Sequence, residues 1–242
     1  MKIDEKIMVL IPAFNEEVKI EKVLNGIKQA LEGADILVVS DGSTDRTESI
    51  AKRCGAKVIS LPFNLGYGAA LQTGYIYAKQ KGYDCVVQMD GDGQHDPAYI
   101  KDFLDTLRAE GMDVVIGSRF LKDNGYRTTW SKKIGMLIFG TIASVIMGQK
   151  ISDPTSGFQA LKKNVVSFFT RDLYPPDYPD TDMLILLHRA GFRLKEIPVK
   201  MYSADFKKPM HRGHKIVYYI FKMFLSIVVT LVRKKPFKDT EE

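Results

Sequence analysis

Cysteine is scarce in this chain: Cys54 and Cys85 are the only two, and they match neither a metal-binding spacing nor a disulfide framework. A disulfide-stapled secreted domain is excluded, and both thiols are expected as small core residues in a reducing compartment. A long apolar run is missing from the start. The segment "MKIDEKIMVLIPAFNEE" mixes acids with an apolar stretch far too short for a signal-peptide core, so the stretch is expected as a strand and the protein in the cytoplasm. Internal repeats and low-complexity tracts are absent too. The net charge is only +6 and gathers from Lys200 onward, so no nucleic-acid partner is expected. With 45% hydrophobic residues in 242, the chain can bury a substantial core, as one large domain or one domain with an appendage.

Short β-rich runs, "KIMVLI", "DILVVS", "AKVISL", "DCVVQM" and "DVVIGS", alternate with helical patterns that begin near Glu16, Thr44, Gly66 and Pro97. That alternation predicts an α/β domain with a mostly parallel sheet covered by helices on both faces. Ligands then bind at the carboxyl ends of the strands. The residues found there are polar or glycine: "PAFNEE", "DGSTD", "NLGYG", "DGDGQHD" and "SRF". Taken singly, Ser43 or Thr44 reads as a helix cap and Gly66 and Gly68 as a turn. Five such loops in succession point to a nucleotide-type pocket. Further on, "SKKIGMLIFGTIASVIM" reads as an apolar helix, Thr181 to Ala190 as another and "FRLKEIPVKMY" as a late strand. The stretch "SADFKKPMHRGHK" lacks periodicity and reads as a mobile loop.

In "QMDGDGQHDP", Asp90 and Asp92 stand one residue apart, beside Gly91 and Gly93. Both could be plain turn residues. Two adjacent carboxylates repel, however, and a hard divalent cation with oxygen ligands is a reason to keep both. His95 reads as a residue that orients the loop or caps the helix at Pro97.

The ordered set "PAFNE", "SDGSTDRT", "NLGYGAALQTG", "MDGDGQHDP", "GSRF" and "DPTSGFQA" resembles the family 2 inverting glycosyltransferases of GT-A fold, and within them the dolichyl- or polyprenyl-phosphate sugar synthases. The resemblance covers roughly residues 6 to 215. It implies that Asp90, Asp92 and Gln94 hold Mg2+ or Mn2+ on the diphosphate of a nucleotide-sugar donor. Pro12, Ala13, Asn15 and Glu16 resemble the first nucleotide-contacting loop, and Asp41 resembles the acid that reads the base. Many relatives carry two acids before that glycine, whereas this chain has Ser40 and Asp41. Gly66 and Gly68 would let the backbone approach the nucleotide. A processive polysaccharide synthase is excluded by the missing Q-x-x-R-W signature, since the one tryptophan, Trp130, lies in "RTTWSKK".

The implied reaction is direct displacement at the anomeric carbon, with Asp92 serving the leaving group through the metal. A polyprenyl-phosphate acceptor is already ionised and needs no base. A glycan hydroxyl needs one, and Asp182 is then the candidate, although an acid in the first turn of a helix is also favoured by its dipole. On the acceptor side the resemblance points to Arg119, Asp153, Arg212 and Lys215, with Asp153 equally able to hold its own turn. Residues 1–205 are expected as the catalytic domain and 206–242 as a basic loop and an amphipathic helix. In that helix Lys215, Lys222, Ser226 and Arg233 form a narrow polar stripe against a wide apolar face, the pattern of a helix lying in a membrane surface. A membrane span is disfavoured by Lys222, which would cost about 2.5–3.5 kcal/mol at mid-bilayer. Packing on the catalytic domain, on a second copy or on an integral-membrane partner would use the same pattern. The expected location is therefore peripheral, on the inner face of the membrane. A non-catalytic nucleotide-sugar-binding subunit is the reading from another class, and the intact D-x-D argues against it.

Overall fold

The computed structural model describes residues 5–122, 130–172, 174, 175, 179–202 and 214–234, with the side chains of its two long C-terminal-half helices from residues 135 and 220 onward. The first half alternates strand and helix: β1 (Ile7–Ala13), α1 (Ile20–Ala30), β2 (Asp35–Ser40), α2 (Thr47–Arg53), β3 (Lys57–Ser60), α3 (Tyr67–Gln80), β4 (Cys85–Gln88), α4 (Ile100–Ala109) and β5 (Val114–Ser118). Then come α5 (Trp130–Met147), β6 (Gln159–Lys162), α6 (Lys163–Phe169), α7 (Thr181–Ala190), β7 (Leu194–Pro198) and α8 (His214–Val232). Residues 203–213, expected as a loop, lie outside the described residues.

Periodicity explains the helices that clasp the sheet. In α1, Ile20, Val23, Leu24 and Ile27 are buried, and in α4, Ile100, Phe103, Leu104 and Leu107, each set at the i, i+3, i+4, i+7 spacing of one helix face. The central strands are apolar on both sides. Met8, Val9, Leu10 and Ile11 of β1 are wholly buried, because α3 covers one face and α1 the other. Each such side chain contributes about 1.5–3 kcal/mol by burial, which makes the sheet edge a rigid mount for the loops. Cys85 lies in this core and Cys54 is half-buried beside it.

Strand order is β3-β2-β1-β4-β6-β5-β7 in one seven-stranded sheet. All neighbours are parallel except β6, which runs antiparallel to both β4 and β5. Neither β6 nor α6 is expected from the sequence. The reversal has a consequence for the site: β6 begins where its neighbours end, so the loop before it, not after it, reaches the carboxyl edge. The order also changes direction between β1 and β4, the switch point outside whose carboxyl ends open α/β sheets bind their ligands.

α8 packs on the core. Met223 and Ile227 belong to the cluster formed by α3, α5 and α7, and Phe224 meets Phe139 of α5 with ring centroids 5.4 Å apart. Its other side, with Phe221, Leu225, Val228 and Val232, is exposed, as are Leu137 and Val145 of α5. Of the polar stripe, Lys222 and Ser226 are half-buried at the margin of the packed face, and Arg233 is exposed.

Candidate active site at the β1–β4 edge

Hydrogen bonds sew the strand-end loops together. Asn15 adopts a left-handed backbone, φ 54°, its N–H donates to Ser43 Oγ at 3.1 Å, and its Oδ1 accepts from the Thr44 N–H at 2.9 Å. Glu16 donates its N–H to Thr47 Oγ1 at 2.7 Å. Ser43 and Thr44 thus serve the β1 loop, and the helix cap expected of them falls to Asp45, which accepts from the Thr47 N–H. Pro12 and Ala13 are buried at the end of β1, and the Asp41 N–H donates to the Ala13 carbonyl at 2.9 Å.

Asp41 is buried, and its carboxylate accepts from the N–H groups of Leu65 and Gly66, at 2.7 and 3.0 Å. The acid expected to read a base thus also holds the next loop. Gly66 sits at φ +106°, ψ 156°, which only glycine adopts readily, and it turns the chain into α3, where Gly68 is buried in the first turn. The leading N–H groups of α3 have no partner within the helix, as at any helix start.

Asp90 and Asp92 follow β4. Asp90 Oδ1 accepts from the Tyr67 hydroxyl at 2.8 Å, and its backbone N–H donates to His95 Nδ1 at 3.0 Å. His95 is buried, stacked on Phe158 with centroids 4.9 Å apart, and its Nε2 lies 3.6 Å from Asp90 Oδ2. It orients the loop, while Asp96 caps the turn that follows by accepting from the Ala98 N–H. Asp92 accepts from Gln94 twice, from its N–H at 3.0 Å and from its side-chain amide. Gln94 is thus a donor to Asp92. Desolvation in the crevice pushes the Asp90 pKa up, as does the Asp92 charge, against the opposing effects of His95, Tyr67 and Arg119.

These two carboxylates suit a hard divalent ion. They are oxygen donors whose mutual repulsion a cation would relieve, and Mg2+ characteristically takes one or two carboxylates together with substrate phosphates. Among the described residues no cluster of three or more His, Cys, Asp or Glu could hold a metal, so the remaining ligands would come from a substrate or water.

Across the edge, Arg119 follows β5 and Asp153 precedes β6. Arg119 donates Nε and one terminal nitrogen to the two Asp153 oxygens at 2.7 and 2.6 Å, and the same nitrogen reaches Thr155 Oγ1 at 3.1 Å. Asp153 is fully buried. Glu196 of β7 clasps the turn from behind, accepting from the N–H groups of Ser152 and Asp153 at 2.8 Å each. Burial pushes the Glu196 pKa up against those bonds.

Asp182 stands outside this network. It is buried in the first turn of α7, where Oδ1 accepts from the Met183 N–H at 3.0 Å and Oδ2 from the Ser226 hydroxyl of α8. Burial pushes its pKa up, and the Ser226 bond opposes that. Arg212 lies outside the described residues, as does the side chain of Lys215, whose backbone opens α8.

The family model for glycosyl transferase family 2 matches residues 8–169, from β1 through α6. The chain belongs to that family. It is accordingly a glycosyltransferase, and its sheet is the GT-A variant of the Rossmann-like fold. Two relatives align over most of their length: the UDP-N-acetylglucosamine–dolichyl-phosphate N-acetylglucosaminyltransferase of Methanococcus voltae, 28% identical over 96% of this chain and 98% of that one, and the polyprenol monophosphomannose synthase of Mycolicibacterium smegmatis, 28% identical over 90% and 86%. Among solved structures, glucosyl-3-phosphoglycerate synthase from Mycobacterium tuberculosis, in complex with Mn2+, uridine-diphosphate-glucose and phosphoglyceric acid, superposes with a TM-score of 0.72 at 22% identity, covering 94% of this chain and 80% of that one. That likeness concerns the fold.

Within this family 2 site, the residues that sequence reasoning missed are Tyr67, Gln88, Gly157 and Glu196. Tyr67 was hidden between two glycines. A Cβ on Gly157 would lie 2.7 Å from the Tyr67 hydroxyl and 3.4 Å from both Asp90 oxygens, so the "TSGF" loop belongs to the same pocket as the D-x-D turn.

Proposed function

We propose that this family 2 glycosyltransferase moves one sugar, with inversion, from a nucleotide sugar to a polyprenyl phosphate at a membrane surface, and that it requires Mg2+ or Mn2+. The observation that carries the reading is the Asp90–Asp92 pair at the β1–β4 crevice, beside the first turn of α3. A divalent ion held by Asp90 and Asp92 would neutralise the departing nucleoside diphosphate. Gln94 orients Asp92 through two hydrogen bonds, and Asp41 fixes the Gly66 loop so that the α3 N-terminus meets phosphate oxygens. Pro12, Ala13, Asn15 and Glu16 form the nucleotide-side wall.

Arg119, its guanidinium plane set by Asp153, supplies positive charge for the acceptor phosphate. Arg212 and Lys215 close over the diphosphate in this reading. The phosphate monoester attacks as an oxyanion, so no proton needs removing. Asp182, already engaged by Ser226 and the Met183 N–H, is a structural carboxylate rather than a base. Two relatives, one named for dolichyl phosphate and the other for polyprenol monophosphomannose, align along nearly the whole chain and support this acceptor class.

Membrane placement rests on the exposed apolar arc of α8 and the neighbouring Leu137 and Val145. Among the described residues no helix is long and apolar enough to cross a membrane. The basic end at Arg233 and Lys234 would favour anionic headgroups. The test is a screen of UDP-, GDP- and dTDP-sugars against undecaprenyl and dolichyl phosphate, with Mn2+, with Mg2+ and with EDTA. Transfer to lipid phosphate that disappears in EDTA is expected, and Asp92→Asn should lower the rate by at least roughly 10²-fold. Full activity in EDTA would sink the metal reading.

A further inference from the structure

A one-way chain of hydrogen bonds runs through the core to Asp90. The Tyr67 hydroxyl donates to Asp90 Oδ1 at 2.8 Å, and Gln88 Nε2 donates to that hydroxyl at 3.1 Å. Behind Gln88, the Tyr75 hydroxyl donates to Oε1. An ionised carboxylate only accepts, which forces Tyr67 to donate; Gln88 must then present its amide hydrogens to Tyr67 and its oxygen to Tyr75. Tyr75 is wholly buried and Gln88 nearly so, so packing leaves neither amide nor ring room to turn. Rigid packing also pins the far end. Tyr75 meets Phe169 at 5.2 Å and Tyr174 edge-on at 5.6 Å between ring centroids.

We propose that Tyr67 is a positioning residue for the metal-binding carboxylate, held by Gln88 and Tyr75 so that Asp90 keeps one orientation at the crevice. This rests on the reading of Asp90 as a metal ligand. A carboxylate on a glycine-flanked turn would otherwise rotate about two side-chain bonds, and fixing it beforehand removes that entropy loss from metal binding. Gly157 is part of the same device. Its missing Cβ leaves the space that the Tyr67 hydroxyl fills, so alanine there would drive the hydroxyl off Asp90.

The test measures Mn2+ binding to the full chain by electron paramagnetic resonance, alone and with UDP or GDP. Tyr67→Phe, which removes one oxygen, should weaken Mn2+ affinity about 10–100-fold, the usual range for an outer-shell partner of a metal ligand. Gly157→Ala should do the same, whereas adding it to Tyr67→Phe should cost little more, because the clashing atom has gone. Tyr83→Phe deletes a comparable bond, to Asp35 Oδ2 at 2.6 Å, and should leave Mn2+ binding unchanged. Mn2+ affinity within twofold of native in both Tyr67→Phe and Gly157→Ala overturns the positioning role alone. No Mn2+ binding by the native chain, with or without nucleotide, overturns the metal reading and this proposal with it.

Discussion

Replacing Asp182 by asparagine separates a structural carboxylate from a catalytic base. In the native chain Asp182 Oδ2 takes a hydrogen bond from Ser226, and a bond to a charged acceptor is worth about 1.5–3 kcal/mol against about 0.5–1.5 for a neutral one. Asparagine would therefore lose about 1–2 kcal/mol of hydrogen bonding while shedding the penalty of a buried charge. The two effects oppose, and the net change at neutral pH should stay within about 1–2 kcal/mol. The pH dependence carries a sign as well. Burial raises the Asp182 pKa above its ordinary 3.8, so between 3.8 and the raised value the folded state binds more protons than the unfolded one. Native stability should fall as pH climbs through that window. The asparagine variant lacks this slope, and its melting temperature relative to native should rise with pH. For the lipid-phosphate acceptor, kcat should stay within about threefold of native, since no proton is abstracted. A loss of roughly 10²–10⁴-fold in a variant that melts normally would refute this account and make Asp182 the base for a hydroxyl acceptor.

Asp153→Ala breaks a pair in which the Asp153 side chain is 0% and the Arg119 side chain 16% exposed, and should cost about 3–5 kcal/mol. At about 2–4 °C per kcal/mol for a chain of this size, calorimetry should show the melting point about 6–20 °C lower; a shift under 2 °C would mean the pair is solvated. For the membrane, Phe221→Ser, Leu225→Ser and Val228→Ser combined remove exposed apolar surface without touching Met223 or Ile227, which pack inward. The triple variant should fail to pellet with anionic liposomes. If it pellets unchanged, α8 is not the anchor, and if only its sedimentation in lipid-free solution changes, the face joins copies of this chain.

The alternating strands and helices were legible because both-sided burial in β1, β2, β4 and β5 demands continuous Val, Ile and Leu, while α1 and α4 carry their core face at helical spacing. β6 was not legible. It has four residues, only Ala160 and Leu161 wholly buried, and its pairing depends on β4 and β5 lying open on either side. The wheel of α8 likewise revealed a polar stripe but not its direction, since Ser226 finds its partner 44 residues earlier. Asp90 and Asp92 announce themselves by spacing. Tyr67 does not, because a tyrosine between glycines carries no periodic signal and meets Asp90 only through the fold.

The antiparallel β6 makes the far half of the site exchangeable. Since β5 and β6 are antiparallel neighbours, everything from Arg119 to Phe158 is one excursion between two paired strands, and Arg119, α5, Asp153 and Gly157 travel together in it. The strands that carry Pro12, Asp41 and Asp90 lie elsewhere in the sheet. On the proposed reading, a chimera exchanging only this excursion with that of a relative would alter acceptor preference, and Gly157 would carry one wall of the D-x-D pocket across with it. Its seams would fall at Ser118 and Gln159, whose side chains reach into the excursion, to the Ser152 hydroxyl and the Ser156 carbonyl, so the graft must keep both partners. The graft would have to bring its own α8, because Phe139 inside the excursion packs on Phe224 outside it.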